Sequence, residues 1–162
     1  MMAPIRNHSL SPVAAWVVIA VSVISVFEGF SSHVYRDAVG VPTICYGATA
    51  ADHVDLTKTY TKAQCQAILA TDIPKYDAQV KSCLLPAVYA ALPPHRHAAL
   101  VSFTYNVGGG AFCKSAVARD LNVGDVAGGC DALLLYNHAG GRVLAGLTTR
   151  RQEERTLCLR SD

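Results

Sequence analysis

The strongest hydrophobic pattern in the chain is an uncharged run near its beginning, from Pro12 to Phe27. Its sixteen residues, PVAAWVVIAVSVISVF, predict a helix, and Gly29 supplies a stop because glycine adopts the left-handed conformation of a C-cap without strain. Three interpretations compete: a cleaved signal peptide, a buried core helix, and a membrane anchor extended by Leu10 and Ser11. The signal peptide is the weakest, because Val23-Ile24-Ser25 is a poor cleavage site whose use would discard most of the helix.

The pattern then changes to short strands. Residues 33–36 alternate between polar and apolar, residues 38–40 offer a glycine-containing turn, and residues 41–46 are rich in strand formers. This order predicts a β-hairpin. The polar stretch 47–60 is predicted to be a loop.

The remainder of the chain has helical spacing. Thr61 and Gln64 have the spacing of a capping box, so a helix is expected to open there. Pro74 predicts a kink or a break, although Tyr76 and Val80 continue the apolar spacing. Further helices are predicted at 94–107, at 115–121, at 125–136, and from a cap at Thr149 and Gln152 to near Cys158. These elements predict an α+β fold that is predominantly α.

Composition supports a well-filled core. The chain has 162 residues, of which 51% are hydrophobic and only 16% are charged. This length and composition suit one domain, or two lobes that share a core. From Lys81 onward, nine Lys or Arg stand against six acids, a mildly basic balance that suits an anionic polymer such as a bacterial wall. The net charge of +2 is too small to indicate nucleic acid as a partner. The six histidines show no metal-ligand spacing, so we expect no metal site.

The six cysteines form an even set without a C-x-x-C pair. Zinc fingers and thioredoxin-like motifs are therefore excluded, and with an export segment the pattern favours three disulfides formed outside the cytoplasm. Fifteen pairings are possible, and the sequence pattern does not choose among them. The cysteines are Cys45, Cys65, Cys83, Cys113, Cys130 and Cys158.

The chemistry is concentrated between Glu28 and Thr43. Glu28 closes the apolar helix, while Asp37 lies in the predicted hairpin and Thr43 on its second strand. One carboxyl at a helix end and another on a hairpin can face each other across a cleft. Glycoside hydrolysis needs that arrangement, with one acid to protonate the leaving oxygen and one carboxylate to activate water or stabilise positive charge.

This stretch resembles the catalytic segment of phage-type lysozymes, whose Glu, Asp and Thr have the same two spacings. The resemblance continues through Tyr105–Gly108, Ala139–Arg142 and Gly146–Arg151, and it covers roughly residues 27–160. Within that family the chain looks like the signal-anchor-release endolysins of phages. The resemblance implies a two-lobed fold with a small β-hairpin lobe and a helical lobe.

The resemblance also implies an activity and its residues. The activity is hydrolysis of the β-1,4 bond between N-acetylmuramic acid and N-acetylglucosamine in peptidoglycan, with no cofactor. Glu28 is expected to be the general acid, Asp37 the base for water or an electrostatic stabiliser, and Thr43 the residue that positions water or substrate. Tyr46 and Asn106 are second-rank candidates for sugar contact. Relatives of this branch imply the disulfides Cys45–Cys65, Cys83–Cys113 and Cys130–Cys158.

The favoured interpretation of the N-terminus follows from the same resemblance. Residues 1–27 are expected to form a releasable anchor segment, inserted through residues 10–27, and residues 28–162 the catalytic domain. The protein would be held in the host inner membrane facing the periplasm, then freed into the periplasm after a membrane-depolarising holin acts. The alternative function is a non-catalytic, membrane-anchored wall-binding module in which the two acids are incidental.

Overall fold

The computed structural model describes residues 12–37 and 39–161, and its first element is helix α1, Pro12–Glu28. Gly29 follows with φ 73°, so the predicted helix stop is confirmed. The segment packs as a core helix, with one face of α1 buried at Trp16, Ala20, Val21 and Ile24. No helix within the described ranges has the length and apolarity needed to cross a membrane, and Leu10 and Ser11 of the expected anchor lie outside those ranges.

A small antiparallel sheet follows α1 and forms the first lobe. It contains β1, Ser31–Arg36, β2, Pro42–Cys45, and β3, Ala48–Thr49, in that spatial order. The predicted hairpin is therefore confirmed. The loop prediction for residues 47–60 is wrong at its start, because β3 pairs with β2 and a short 3₁₀ helix, Ala50–Asp52, follows β3.

Helix α2, Lys62–Cys83, connects the two lobes. Its length corresponds to about 33 Å at the rise of an α-helix. The predicted capping box is present, since the side chains of Thr61 and Gln64 each bond the other residue's backbone N–H. The helix continues through the exposed Pro74, so that residue does not break it.

The second lobe is helical and is built around α4, Pro94–Val107, whose bounds agree with the prediction. Residues 97–104 of α4 are all buried, and α1 and the C-terminal helix pack against it most closely. The other helices and the small hairpin are α3, Pro86–Ala90; α5, Gly109–Cys113; α6, Ala116–Asn122; α7, Val126–Ala132; β4, His138–Ala139; β5, Arg142–Val143; and α8, Ala145–Leu159.

The predicted start of the last helix is wrong. The helix α8 begins four residues before Thr149, and the Thr149 hydroxyl donates to the carbonyl of Ala145 instead of capping a helix end. The reason is the preceding β4–β5 hairpin, which closes at Gly140-Gly141 and delivers the chain to Leu144 in an extended conformation.

All three disulfides join the cysteines in sequence order, as the family resemblance implied. Cys45–Cys65 connects β2 to the first turns of α2, Cys83–Cys113 connects the end of α2 to α5, and Cys130–Cys158 connects α7 to α8. Their Cα–Cα separations are 5.1, 4.9 and 5.5 Å. Each bond thus fixes one neighbouring pair of elements, and only the first of them reaches the hairpin of the small lobe.

Candidate active site

Glu28 is the last residue of α1, so the helix end determines where its carboxyl lies. Arg150 of α8 donates from Nη1 to Glu28 Oε1 at 2.6 Å. The Arg150 guanidinium also lies 5.4 Å from the centre of the Phe27 ring. The Glu28 side chain remains 25% exposed, so it is bound on one side and open to an incoming molecule on the other.

Arg150 belongs to a buried polar network that joins α8 to α4. Its Nε donates to Glu154 Oε1 at 3.0 Å, and its Nη2 donates to the backbone carbonyl of Ser102 at 3.1 Å. The Ser102 hydroxyl donates to the same Glu154 oxygen at 2.7 Å, and Arg151 donates to the other one at 2.7 Å. Because Glu154 is fully buried, its carboxyl holds two guanidinium groups in fixed positions.

The network continues to Asn106, one of the predicted sugar contacts. Arg151 Nη2 donates to the Asn106 side-chain oxygen, while Asn106 itself is exposed. Burial lowers the pKa of the Arg151 guanidinium, and Glu154 acts in the opposite direction. Burial likewise raises the pKa of the Glu154 carboxyl, against the lowering effect of Arg151 and Arg150. Asn106 therefore lies at the surface end of a chain of contacts that begins at Glu28.

Asp37 and Thr43 are held on the hairpin. Asp37 Oδ1 accepts the backbone N–H of Val39 at 3.0 Å and that of Val41 at 2.8 Å. Thr43 is only 3% exposed, and its hydroxyl donates to the carbonyl of Val41 at 2.9 Å. Arg36 closes the same turn by donating to the carbonyl of Gly40 at 2.7 Å. Both predicted residues are thus tied to one short turn, and Asp37 Oδ2 takes part in neither of the Asp37 bonds.

Tyr46, the other predicted sugar contact, is buried. Its side chain is 2% exposed and packs near Phe30, and its buried hydroxyl has no hydrogen-bond partner among the described residues. Its backbone carbonyl accepts the Tyr105 hydroxyl at 2.8 Å. Burial, followed by the charge of Glu28, raises the pKa of Tyr105, so this phenol stays a donor. In this packing Tyr46 joins the sheet to α4 through its backbone carbonyl, and its contact with a sugar stays a prediction.

A groove of about 530 Å³ opens beside Asn106, between α4, the β4–β5 hairpin and the start of α8. Its walls combine apolar side chains with the polar groups of Asn106, Tyr136 and His138. The described residues contain no cluster of three His, Cys, Asp or Glu that could hold a metal ion. The groove is lined by Asn106, Val107, Leu135, Tyr136, His138, Ala139, Leu144 and Leu147.

Comparison with known proteins identifies the family of this chain. The family model described as phage lysozyme matches residues 25–154. The chain belongs to the phage lysozyme family. This phage lysozyme is therefore a glycoside hydrolase, and the alternative of a non-catalytic wall-binding module is set aside.

Three similar proteins show how far this likeness extends. A SAR-endolysin of Enterobacteria phage PA-2 is 43% identical over 132 residues, which cover 82% of this chain and 77% of that protein. A SAR-endolysin of Bacteriophage PS34 is 35% identical over 166 residues and covers 98% of this chain and 96% of its own length. The crystal structure of a mutant P22 lysozyme superposes with a TM-score of 0.77 at 27% identity, covering 99% of this chain and 100% of that one.

The network on α8 was not predicted, although Arg150 and Arg151 lie in a block that carries the family resemblance. A signal was available, since Glu154 follows these two arginines at the i+4 and i+3 spacings that bring side chains together on a helix. Charged residues with this spacing usually form ion pairs on the exposed face of a helix. Only its burial against α4 shows that this lysozyme uses it to hold Glu28.

Proposed function

We propose that this lysozyme is a muramidase that cleaves the β-1,4 bond between N-acetylmuramic acid and N-acetylglucosamine, with Glu28 as the general acid. The observation that carries the proposal is the 2.6 Å contact from Arg150 to one oxygen of a carboxyl that stays partly open to solvent. Because Arg150 occupies Oε1, the proton of the acid would lie on Oε2, which the contact holds in one orientation toward the leaving oxygen. Peptidoglycan is the substrate, and lysis of the host cell at the end of infection is the role.

Asp37 is proposed to act on the other side of the sugar. Two backbone N–H groups fix its Oδ1, which leaves Oδ2 as the oxygen available to water or to positive charge at the anomeric carbon. Thr43 is proposed to assist from the next strand. Its hydroxyl donates to Val41, so its lone pairs remain able to accept a hydrogen bond from a water molecule or a sugar hydroxyl.

Glu28→Gln tests the assignment. The amide keeps the size of the side chain but lacks the acidic proton, and general acid catalysis contributes about 10²–10⁴-fold in rate. We expect kcat on purified peptidoglycan to fall by that order in protein that stays folded, because Arg150 keeps its pairing with Glu154. Glu153→Gln, at an exposed position on α8, is the matched control and should retain full activity. Near wild-type lysis by folded Glu28→Gln protein would show that another group supplies the proton.

Residues 1–27 are proposed to form a releasable anchor, and residues 28–162 the catalytic domain. The solvent-facing side of α1 supports this, because Val18 and Val26 are 55% and 76% exposed and no charged residue lies between Leu10 and Phe27. A helix selected only for packing in water would have polar residues there. Ser22, exposed between the two valines, satisfies its hydroxyl by donating to the Val18 carbonyl at 2.9 Å, which lets a serine enter apolar surroundings.

On this proposal the protein first lies in the host inner membrane with its catalytic domain in the periplasm. Glu28 then stands at the membrane surface, α1 does not pack on α4, and the contact with Arg150 is not made. A holin that depolarises the membrane would favour release into the periplasm, where α1 repacks and Glu28 meets Arg150. The relatives from phages PA-2 and PS34 bear the name SAR-endolysin, which fits such a route.

A further inference from the structure

The first helix is held against α4 at two points that lie far apart along α1. At its C-terminal end, Glu28 meets Arg150, whose Nη2 donates to the Ser102 carbonyl of α4. Near its other end, Trp16 meets His97 of α4. These two points on α1 are twelve residues apart, which is about 18 Å at the rise of an α-helix. The core residues of α1 between them, Ala20, Val21 and Ile24, are aliphatic and offer no directional contact. The rotation and the axial position of α1 therefore depend on the contact between Trp16 and His97.

The contact at Trp16 is specific in its geometry. The Trp16 ring stacks on the His97 ring with centroids 4.1 Å apart and planes 13° from parallel. Only 6% of Trp16 is exposed. Aromatic rings in contact have preferred relative orientations, which contacts between aliphatic groups lack.

His97 is itself immobilised by residues from two other helices. Its Nε2 lies 2.6 Å from Asp77 Oδ1 on α2, and the Tyr89 hydroxyl of α3 donates to both Asp77 oxygens at 2.9 Å. The Tyr89 ring meets the His97 ring edge-on at 5.3 Å, and Lys81 lies 5.6 Å from the centre of the Tyr89 ring. We call His97, Asp77 and Tyr89 the Trp16 socket. Burial and the bond to Asp77 raise the pKa of Tyr89 to about 12, which keeps its hydroxyl a donor.

We propose that Trp16 is a positioning residue for Glu28, which it places against Arg150 by docking into the socket formed by His97, Asp77 and Tyr89. The proposal rests on the role assigned to Glu28. A slip of one residue along α4 would move the end of α1 by about 1.5 Å and turn it by about 100°. A displacement of about 1 Å at a reacting group can lower a rate by about 10²-fold.

A residue that only fills the core would behave differently. Removing it would lower the melting temperature and leave kcat unchanged in the protein that remains folded. Leu121→Ala provides that comparison, because Leu121 is a buried residue of α6 and belongs to neither the socket nor the site. Both Trp16→Ala and Leu121→Ala should lower the melting temperature, since truncation of a large buried side chain leaves a cavity in the core.

The experiment measures kcat and KM on soluble peptidoglycan fragments well below every melting temperature. We expect Trp16→Ala and Trp16→Leu to lower kcat by about 10- to 100-fold with KM nearly unchanged, while Leu121→Ala keeps the wild-type kcat. Trp16→Phe, which keeps a flat ring over His97, should recover most of the loss. His97→Ala should reproduce it from the other side of the contact and red-shift the emission of Trp16, the only tryptophan in the chain.

A double variant separates this proposal from the one on which it depends. If Trp16 acts through Glu28, adding Glu28→Gln to Trp16→Ala should cost much less in rate than Glu28→Gln costs in the wild type. Full activity of Glu28→Gln alone would refute the role of Glu28 as the acid. Wild-type kcat in folded Trp16→Leu and His97→Ala protein, or fully additive losses in the double variant, would overturn the role of Trp16.

Discussion

The disulfide Cys45–Cys65 is predicted to matter for catalysis as well as for stability. Cys45 lies two residues after Thr43 on β2, and Cys65 lies in α2, so the bond ties the strand that carries Thr43 to the helix that connects the lobes. Cys83–Cys113 makes a matched comparison, because it joins α2 to α5 and does not touch the hairpin. The perturbation is replacement of each pair by two alanines.

The loss of stability should be similar for the two pairs. Their sequence separations are 20 and 30 residues. For loops of these lengths, the loop-closure entropy of the unfolded chain corresponds to about 3.3 and about 3.6 kcal/mol. In a chain of this length, about 3.3 kcal/mol lowers the melting temperature by about 7–13 °C. Stability alone therefore does not distinguish the two variants, and a difference in activity must come from where each bond lies.

Backbone strain at Cys45 supplies a second comparison. Cys45 has φ 60°, a left-handed conformation. That conformation costs an L-residue about 1–2 kcal/mol, and glycine avoids the cost. Glycine adds about 0.5–1 kcal/mol of chain entropy to be lost on folding. Cys45→Gly with Cys65→Ala should thus be as stable as the double alanine variant or up to about 1.5 kcal/mol more stable. Its hairpin would still lack the tie to α2.

The assay is kcat on peptidoglycan, measured beside thermal melts under non-reducing conditions. We expect both variants of the Cys45–Cys65 pair to lose about tenfold or more in kcat, because the turn that holds Asp37 and Thr43 is then free to shift. The Cys83–Cys113 variant should keep its activity below its melting temperature. Wild-type kcat without the Cys45–Cys65 bond would refute the reasoning, and recovery by glycine alone would assign the effect to strain at Cys45.

Two further predictions concern Glu154 and Ser22. Glu154→Gln should lower the free energy of unfolding by about 3–5 kcal/mol, since Arg150 and Arg151 lose their buried counter-charge. Glu153→Gln, at an exposed position, should change it little, and equal denaturation midpoints for the two variants would contradict this. Ser22→Leu should leave the purified enzyme active, because the side chain faces solvent, yet hold more protein in the membrane fraction and delay lysis. Ser82→Leu, on the exposed face of α2, is the control, and identical fractionation and lysis timing for both would argue against the anchor.

Local patterns predicted the parts of the fold that local physics determines. The Thr61–Gln64 capping box, the Pro94 start of α4 and the glycine stop after Glu28 each depend on residues within one turn, and each is confirmed. The spacing from Glu28 to Asp37 and Thr43 was likewise visible, because the hairpin that carries the last two begins only three residues after Glu28. Their catalytic roles remain predictions.

The parts that were missed depend on contacts between distant elements. Thr149 is a residue type that often caps a helix, but after the β4–β5 hairpin α8 begins four residues earlier, at Ala145. The burial of Tyr46 was not predicted, because it follows from packing between the sheet and α4. In the sequence Glu154 looks like a surface charge, whereas in the structure it is buried against α4. In each case the local preference is satisfied by more than one environment, and only the tertiary packing selects between them.

The first helix meets two requirements that ordinarily exclude each other. A core helix needs one apolar stripe and a polar outer face, whereas a segment that enters a bilayer must be free of charge all round. Residues 12–27 of α1 carry no charge, which agrees with the second requirement. The shapes of the side chains meet the first requirement, because Trp16, Ala20 and Ile24 are buried while Val18 and Val26 are exposed. Burial of apolar area therefore gives α1 little preference for one face over another, since valine lies on both sides. The directional contacts at Trp16 and Glu28 must then set its orientation, which is why the proposed release, the docking of Trp16 and the placement of the catalytic acid become a single event.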